Sequence, residues 1–119
     1  MSINKLYLIL FFLIPYKAFS NERYVCKHVN ENTNQLITNF YVINDKVIMS
    51  GATGSGEYKI LNRYNGGLLA VNSSFIGKDF GLETVLLSNK KKQFTYKLLI
   101  RSNLKENISE IRGNCDFYN

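Results

Sequence analysis

The sequence predicts an all-β domain, a single small antiparallel barrel or sandwich of about eight strands closed by one disulfide. Three observations carry this expectation. From residue 23 onward, apolar side chains recur with period two in short runs, and no long stretch shows a period of 3.6. Clusters of Asn, Gly, Asp and Lys separate the runs, as turns separate half-buried strands. Two cysteines, Cys26 and Cys115, flank the whole series.

Strands are expected, in order, over 23–29 (RYVCKHV), 35–43 (QLITNFYVI), 46–50 (KVIMS), 57–63 (EYKILNR), 68–74 (LLAVNSS), 82–88 (LETVLLS), 93–101 (QFTYKLLIR) and 108–115 (ISEIRGNC). QFTYKLLIR alternates most cleanly, which assigns Phe94, Tyr96, Leu98 and Ile100 to the core and Thr95, Lys97 and Arg101 to the other face. Asn44-Asp45, Tyr64-Asn65-Gly66-Gly67 and Asn89 to Lys92 read as hairpin turns, with Asn65-Gly66 the strongest of these signals. Consecutive strands are therefore expected to be antiparallel neighbours. A meander of that length must deal with two exposed edges, and closure into a barrel or a sandwich does so.

The first 20 residues, MSINKLYLILFFLIPYKAFS, carry Lys5, an apolar run from Leu6 to Ile14 and a polar end, the order of a secretory signal peptide. Ala18 and Ser20 are the small residues expected before a cut between Ser20 and Asn21. A run of nine is far shorter than the roughly 20 residues that cross a bilayer, so no transmembrane span is expected after cleavage. Residues 1–20 thus read as a leader and 21–119 as one domain. Loss of Lys5 and Lys17 leaves 13 basic against 9 acidic residues, a formal charge of +4.

An even cysteine count in an exported chain points to a disulfide, and two cysteines allow one pairing. A bond between Cys26 and Cys115 would join the first strand to the last, where a barrel closes. A metal site is not expected, because Cys26-x-His28 is no zinc spacing.

GATGSGEY at 51–58 places Gly51 and Gly56 five apart, the glycine spacing of a phosphate-binding loop. Such a loop needs Lys and then Ser or Thr after the second glycine, followed by a helix. Glu57 and Tyr58 stand there instead, and the segment beyond reads as strand. The segment is expected to be a flexible Gly/Ser loop, its three glycines supplying positive φ, with Ser50, Thr53, Ser55 and Tyr58 as candidate binding residues.

An exported chain of this size, opening with Tyr24-Val25-Cys26, closing with a terminal cysteine and carrying a small-residue loop before a tyrosine, resembles small periplasmic one-disulfide β-barrel proteins, among them the bacterial inhibitors of C-type lysozyme. In those proteins an S-G-x-x-Y loop enters the lysozyme cleft. Here Ser50-Gly51-Ala52-Thr53-Gly54 lacks the tyrosine, and Ser55-Gly56-Glu57-Tyr58 is one residue short. The resemblance implies the architecture over most of the mature chain and a protein target, but the inhibitory motif is not matched.

No catalytic constellation emerges. His28 is the one histidine and lies in a strand; Asp79 and Glu83 flank a loop, as any two acids of nine can. Lys90-Lys91-Lys92 is the one basic concentration, read as a hairpin tip or as an attraction to an anionic surface. No aromatic residue interleaves it, so nucleic acid is not expected. Phe75 and Phe80 bracket another loop, where they cap a barrel mouth or plug the core. The sequons Asn72-Ser73-Ser74 and Asn107-Ile108-Ser109 matter only in a eukaryotic secretory route, and a bacterial source is expected.

The resulting expectation is a periplasmic or secreted, monomeric, non-catalytic binding module without cofactor, contacting an unknown protein or cell-envelope component. The alternative is a carrier of a small apolar ligand, of miniature lipocalin type, whose cavity would be lined by Tyr41, Tyr58, Phe94 and Tyr96.

Overall fold

The computed structural model describes residues 21–103 and 105–119, so the expected leader at 1–20 lies outside the described residues. Eight strands follow one another in the chain: β1 (Asn21–Val29), β2 (Gln35–Ile43), β3 (Lys46–Gly51), β4 (Gly54–Tyr64), β5 (Gly67–Ile76), β6 (Asp79–Ser88), β7 (Gln93–Ser102) and β8 (Lys105–Tyr118). Each pairs antiparallel with the next, and β1 pairs with β8, so the sheet closes into a barrel. Closure removes the two free edges of the meander at that seam.

The turns are those that the sequence chemistry favours. Asn65-Gly66 joins β4 to β5 directly, with Gly66 at φ 94°. Asn44, at φ 56°, takes the left-handed position between β2 and β3 that Asn tolerates better than most residues.

Alternation sets the core. Tyr24 stands across from Phe40, and Phe40 from Met49; Val42, Val47 and Tyr58 form the next row. On the other wall Ala70, Val85, Tyr96 and Ile111 make one row, and Leu68, Leu87, Phe94 and Gly113 another. Tyr24, Phe40, Met49, Tyr58, Leu68, Leu87 and Phe94 are each at most 2% exposed. Phe40 and Phe94 meet across the barrel with ring centroids 5.4 Å apart, so the interior is filled by side chains. Burying each such side chain contributes about 1.5–3 kcal/mol.

Cys26 and Cys115 face each other in the β1–β8 register with Cα atoms 4.0 Å apart, and they are disulfide-bonded. That short separation marks a non-hydrogen-bonded pair of the antiparallel ladder. Consistently, the Cys115 N–H turns the other way and donates to the Lys92 carbonyl at 2.7 Å.

The strands run further than their apolar patterns. The expected loop GATGSG is only a two-residue turn: β3 continues to Gly51 and β4 begins at Gly54. Gly51 (φ 144°) and Gly54 (φ 146°), which flank the turn, take positive φ, and Gly56, two residues into β4, does not. A Cβ on Gly51 would lie 2.6 Å from the Ile37 carbonyl oxygen, so a side chain cannot stand where β3 turns against β2. The loop expected around Phe75 and Phe80 likewise shrinks to Gly77-Lys78.

Candidate binding groove

The closed wall holds along only part of the barrel. β4 pairs with β5 from Lys59 to Tyr64, while Gly54–Tyr58 pair with β3 alone. β8 pairs with β1 from Asn114 to Tyr118, while 105–113 pair with β7 alone. Strands β5–β8 therefore continue as a four-stranded extension that, among the described residues, has no opposing wall. From the core row Ala70, Val85, Tyr96 and Ile111, each strand runs six more residues, to Ile76, Asp79, Ser102 and Lys105. At about 3.3 Å per residue the extension reaches ~20 Å beyond the core.

The inner face changes character at that boundary. The first row past the core is Asn72, Glu83, Leu98 and Ser109; the second is Ser74, Gly81, Ile100 and Asn107. On β5, β6 and β8 polar side chains and a glycine replace the apolar residues of the barrel, while Leu98 and Ile100 keep the β7 positions apolar, and a hollow results. A groove of about 360 Å³ lies here, lined in part by Ser74, Asp79, Gly81, Glu83, Leu98 and Ile100. That volume is in the range of small-ligand and side-chain pockets.

Glu83 sits at the inner end of the groove. Its Oε1 accepts a hydrogen bond from the Tyr96 hydroxyl at 2.5 Å and from the Tyr58 hydroxyl at 3.3 Å. Burial first, and then the Glu83 charge, push the Tyr58 phenol far above its usual range; burial and the bond to Glu83 do the same for Tyr96. Both phenols thus remain donors at neutral pH. Tyr58 comes from β4 and Glu83 from β6, so this contact bridges the seam where β4 and β5 no longer pair. Of the other acids near this end, Glu106 pairs with Arg101 at 2.5 Å and Glu110 pairs with Arg112. Among the described residues no cation pairs with Glu83.

The turn that faces this end is held from inside. Thr38, fully buried on β2, accepts the Thr53 N–H at 2.9 Å and donates its hydroxyl to Thr53 Oγ1 at 2.7 Å. Gly56 leaves room for the Tyr58 ring, since a Cβ there would lie 2.9 Å from the Tyr58 hydroxyl.

The residues singled out from the sequence separate in space. Ser50 and Ser55 are exposed and face each other across β3–β4, Thr53 is hooked to Thr38, and Tyr58 belongs to the core with its hydroxyl on Glu83. Lys90, Lys91 and Lys92 occupy an exposed turn at the opposite end of the barrel from the groove. Lys97 and Arg101 do not join them: Lys97 stands midway along β7, and Arg101 is engaged by Glu106. Tyr41, expected to line an interior, is on the outer surface at 36% exposure, and Ile100, expected in the core, is 41% exposed in the groove. Phe75 and Phe80 neither cap the mouth nor plug the core. They oppose each other on the outer face of the extension, ring centroids 4.9 Å apart, and Phe75 is 75% exposed.

His28 points inward at the end of β1, with its ring edge-on to Phe94 at 6.1 Å. Among the described residues no group of three His, Cys, Asp or Glu stands close enough to hold a metal ion, and no helix is long and apolar enough to cross a membrane. Glu83 was legible only as one of nine acids. The signal that locates it is the switch of the inward positions from apolar to Asn72, Ser74, Gly81 and Glu83, which a strand assignment ending at Ser74 cuts short.

No protein-family model, curated protein or solved structure matches the chain.

Proposed function

We propose that this protein is an exported, non-catalytic binding module that receives a cationic side chain of a protein partner in the groove above Glu83. The observation that carries the reading is a carboxylate oriented by two phenols, open to a groove, with no cation of its own chain paired to it among the described residues. A Lys or Arg entering from a partner would find a charge-assisted acceptor already fixed in place, which lowers the ordering cost of binding. The Cys26–Cys115 disulfide suits an oxidising compartment. The carrier alternative loses ground because Tyr58, Phe94 and Tyr96 fill the interior that a ligand would need, and Tyr41 lies outside.

The resemblance in layout to inhibitors of C-type lysozyme makes such a lysozyme the first probe. In calorimetric titration of residues 21–119 with a C-type lysozyme, binding is expected, and Glu83→Gln, which keeps an oxygen acceptor for both phenols, should weaken it at least tenfold while lowering the melting temperature less than Tyr96→Phe does. Acetyl-arginine amide, followed by amide shifts of Gly81, Glu83 and Ile100, serves as a minimal cation. Shifts without lysozyme binding would redirect the search to another partner. No shifts at the groove from either probe would sink the reading.

A further inference from the structure

The extension that forms the groove also exposes a strand edge, and its charges specify a partner for it. Among the described residues, 105–113 of β8 have β7 on one side and no strand on the other. Cys115 donates to Lys92 on β7, so by alternation the odd-numbered residues of β8 exchange their backbone bonds with β7 and the even-numbered ones face the β1 side. Along the free edge those are Glu106, Ile108, Glu110 and Arg112, whose N–H and C=O groups have no strand partner among the described residues. Their side chains all lie on the outer face, and Ile108 is 69% exposed.

We infer that this edge pairs with the same edge of a second copy, antiparallel about a two-fold axis through Ser109. Hydrogen-bonded pairs in such a ladder must join even-numbered residues to even-numbered ones. Centring on Ser109 sets Glu106 opposite Arg112 of the second copy and Ile108 opposite Glu110, then repeats both pairs by symmetry. It is the one register in which all four edge residues pair, giving eight backbone hydrogen bonds, since each such pair exchanges two. It also places Glu106 against Arg112 twice, which favours the pairing across strands. Centring on Ile108 instead sets Glu106 opposite Glu110, and centring on Glu110 sets that residue opposite itself, both like-charge contacts.

Charged edges usually prevent strand addition; here the same charges exclude the neighbouring registers and admit one. Two four-stranded extensions would become one continuous eight-stranded sheet. Ser109, at the axis, is small enough to meet its own copy. None of the residues that line the groove belongs to β8, so pairing leaves the groove open. The sequence by itself suggests a monomer because the edge is invisible until the β1–β8 pairing is seen to stop at Asn114.

Sedimentation equilibrium of residues 21–119 over about a hundredfold range of concentration tests this, with amide hydrogen exchange read on the same samples. A concentration-dependent dimer is expected, in which the amides of Glu106, Ile108, Glu110 and Arg112 become protected while those of Asn107, Ser109 and Ile111 are slow throughout. Glu106→Arg alone and Arg112→Glu alone should each lower the association constant at least tenfold. The double variant Glu106→Arg/Arg112→Glu should restore it, because the opposed pairs are complementary again. Ile108→Pro, which removes an edge N–H that β7 does not use, should abolish the dimer with its melting temperature near that of the parent. A monomer at every concentration, a dimer whose even-numbered amides still exchange fast, or a double variant as weak as the single ones would overturn the inference.

Discussion

Tyr96 donates its hydroxyl to Glu83 across 2.5 Å, and this single bond joins the filled interior of the barrel to the open groove above it. Tyr58 adds a weaker bond to the same oxygen at 3.3 Å. Tyr96→Phe is expected to cost about 1.5 kcal/mol, in the lower range for a hydrogen bond to a charged group, and to lower the melting temperature by ~6–12 °C. Tyr58→Phe should cost less. If both single variants and the double variant melt with the parent, the network does not hold the seam.

Tyr58→Ala is a different change, because it empties the core. The ring is 1% exposed, so a loss of about 3–5 kcal/mol is expected, enough to leave a domain of this size largely unfolded on warming. Ser55→Ala, on the outer surface, should leave stability nearly untouched. Thermal scans of the two variants distinguish a core tyrosine from a surface contact.

The disulfide is expected to be fully formed in the mature protein, with no reactive thiol before reduction. Linking positions 89 apart removes about 4–5 kcal/mol of unfolded-state freedom in the loop-entropy picture. Cys26→Ala/Cys115→Ala should therefore melt roughly 16–40 °C lower than the oxidised protein. A drop of only a few degrees would show that strand pairing alone closes the β1–β8 seam.

Stability should fall in alkali, with a defined sign. Burial, then the Glu22 charge, pushes the Tyr24 phenol from 10.0 up to about 12, and Tyr58 and Tyr96 are raised further. A phenol that holds its proton more tightly when folded contributes its full stability below the unfolded value, and that contribution is lost as pH rises through the folded one. Unfolding free energy should decline from pH 10 toward 12 and beyond, and Tyr24→Phe should flatten the first part of that decline. Denaturant titrations at several alkaline pH values read this directly; an unchanged slope in the variant would remove Tyr24 from the account.

Gly113 marks where β8 comes closest to β1. A Cβ there would collide with the Lys27 carbonyl oxygen and with the Phe94 ring, both of which are fixed by the barrel. Gly113→Ala should cost about 2–3 kcal/mol through overpacking, whereas alanine at Gly77, whose Cβ would meet nothing within 4 Å, should cost only the strain of its positive φ. Comparable losses at both positions would contradict the close approach.

Much of the barrel was legible in the residues. All eight expected strands are present, several longer than alternation alone marks, Asn65-Gly66 makes its turn, and the two cysteines pair as an even count implies. The groove was not legible, for a physical reason. Alternation reports which positions face inward, but it assumes that inward means buried. Ile100 obeys the alternation and is still exposed, because among the described residues no wall stands opposite it. Phe75 and Phe80 look like loop aromatics because Gly77 sits between them, yet the register sets them face to face on one hairpin.

The sequence by itself determined the period of every strand, the chemistry of the turns and the one possible disulfide, since these depend on neighbouring residues or on a count. Only the tertiary structure decided where the seams open. That depends on where β4 leaves β5 and β1 leaves β8, pairings between residues far apart in the chain, and those two departures bring Tyr58, Glu83 and Tyr96 together and leave the edge of β8 bare.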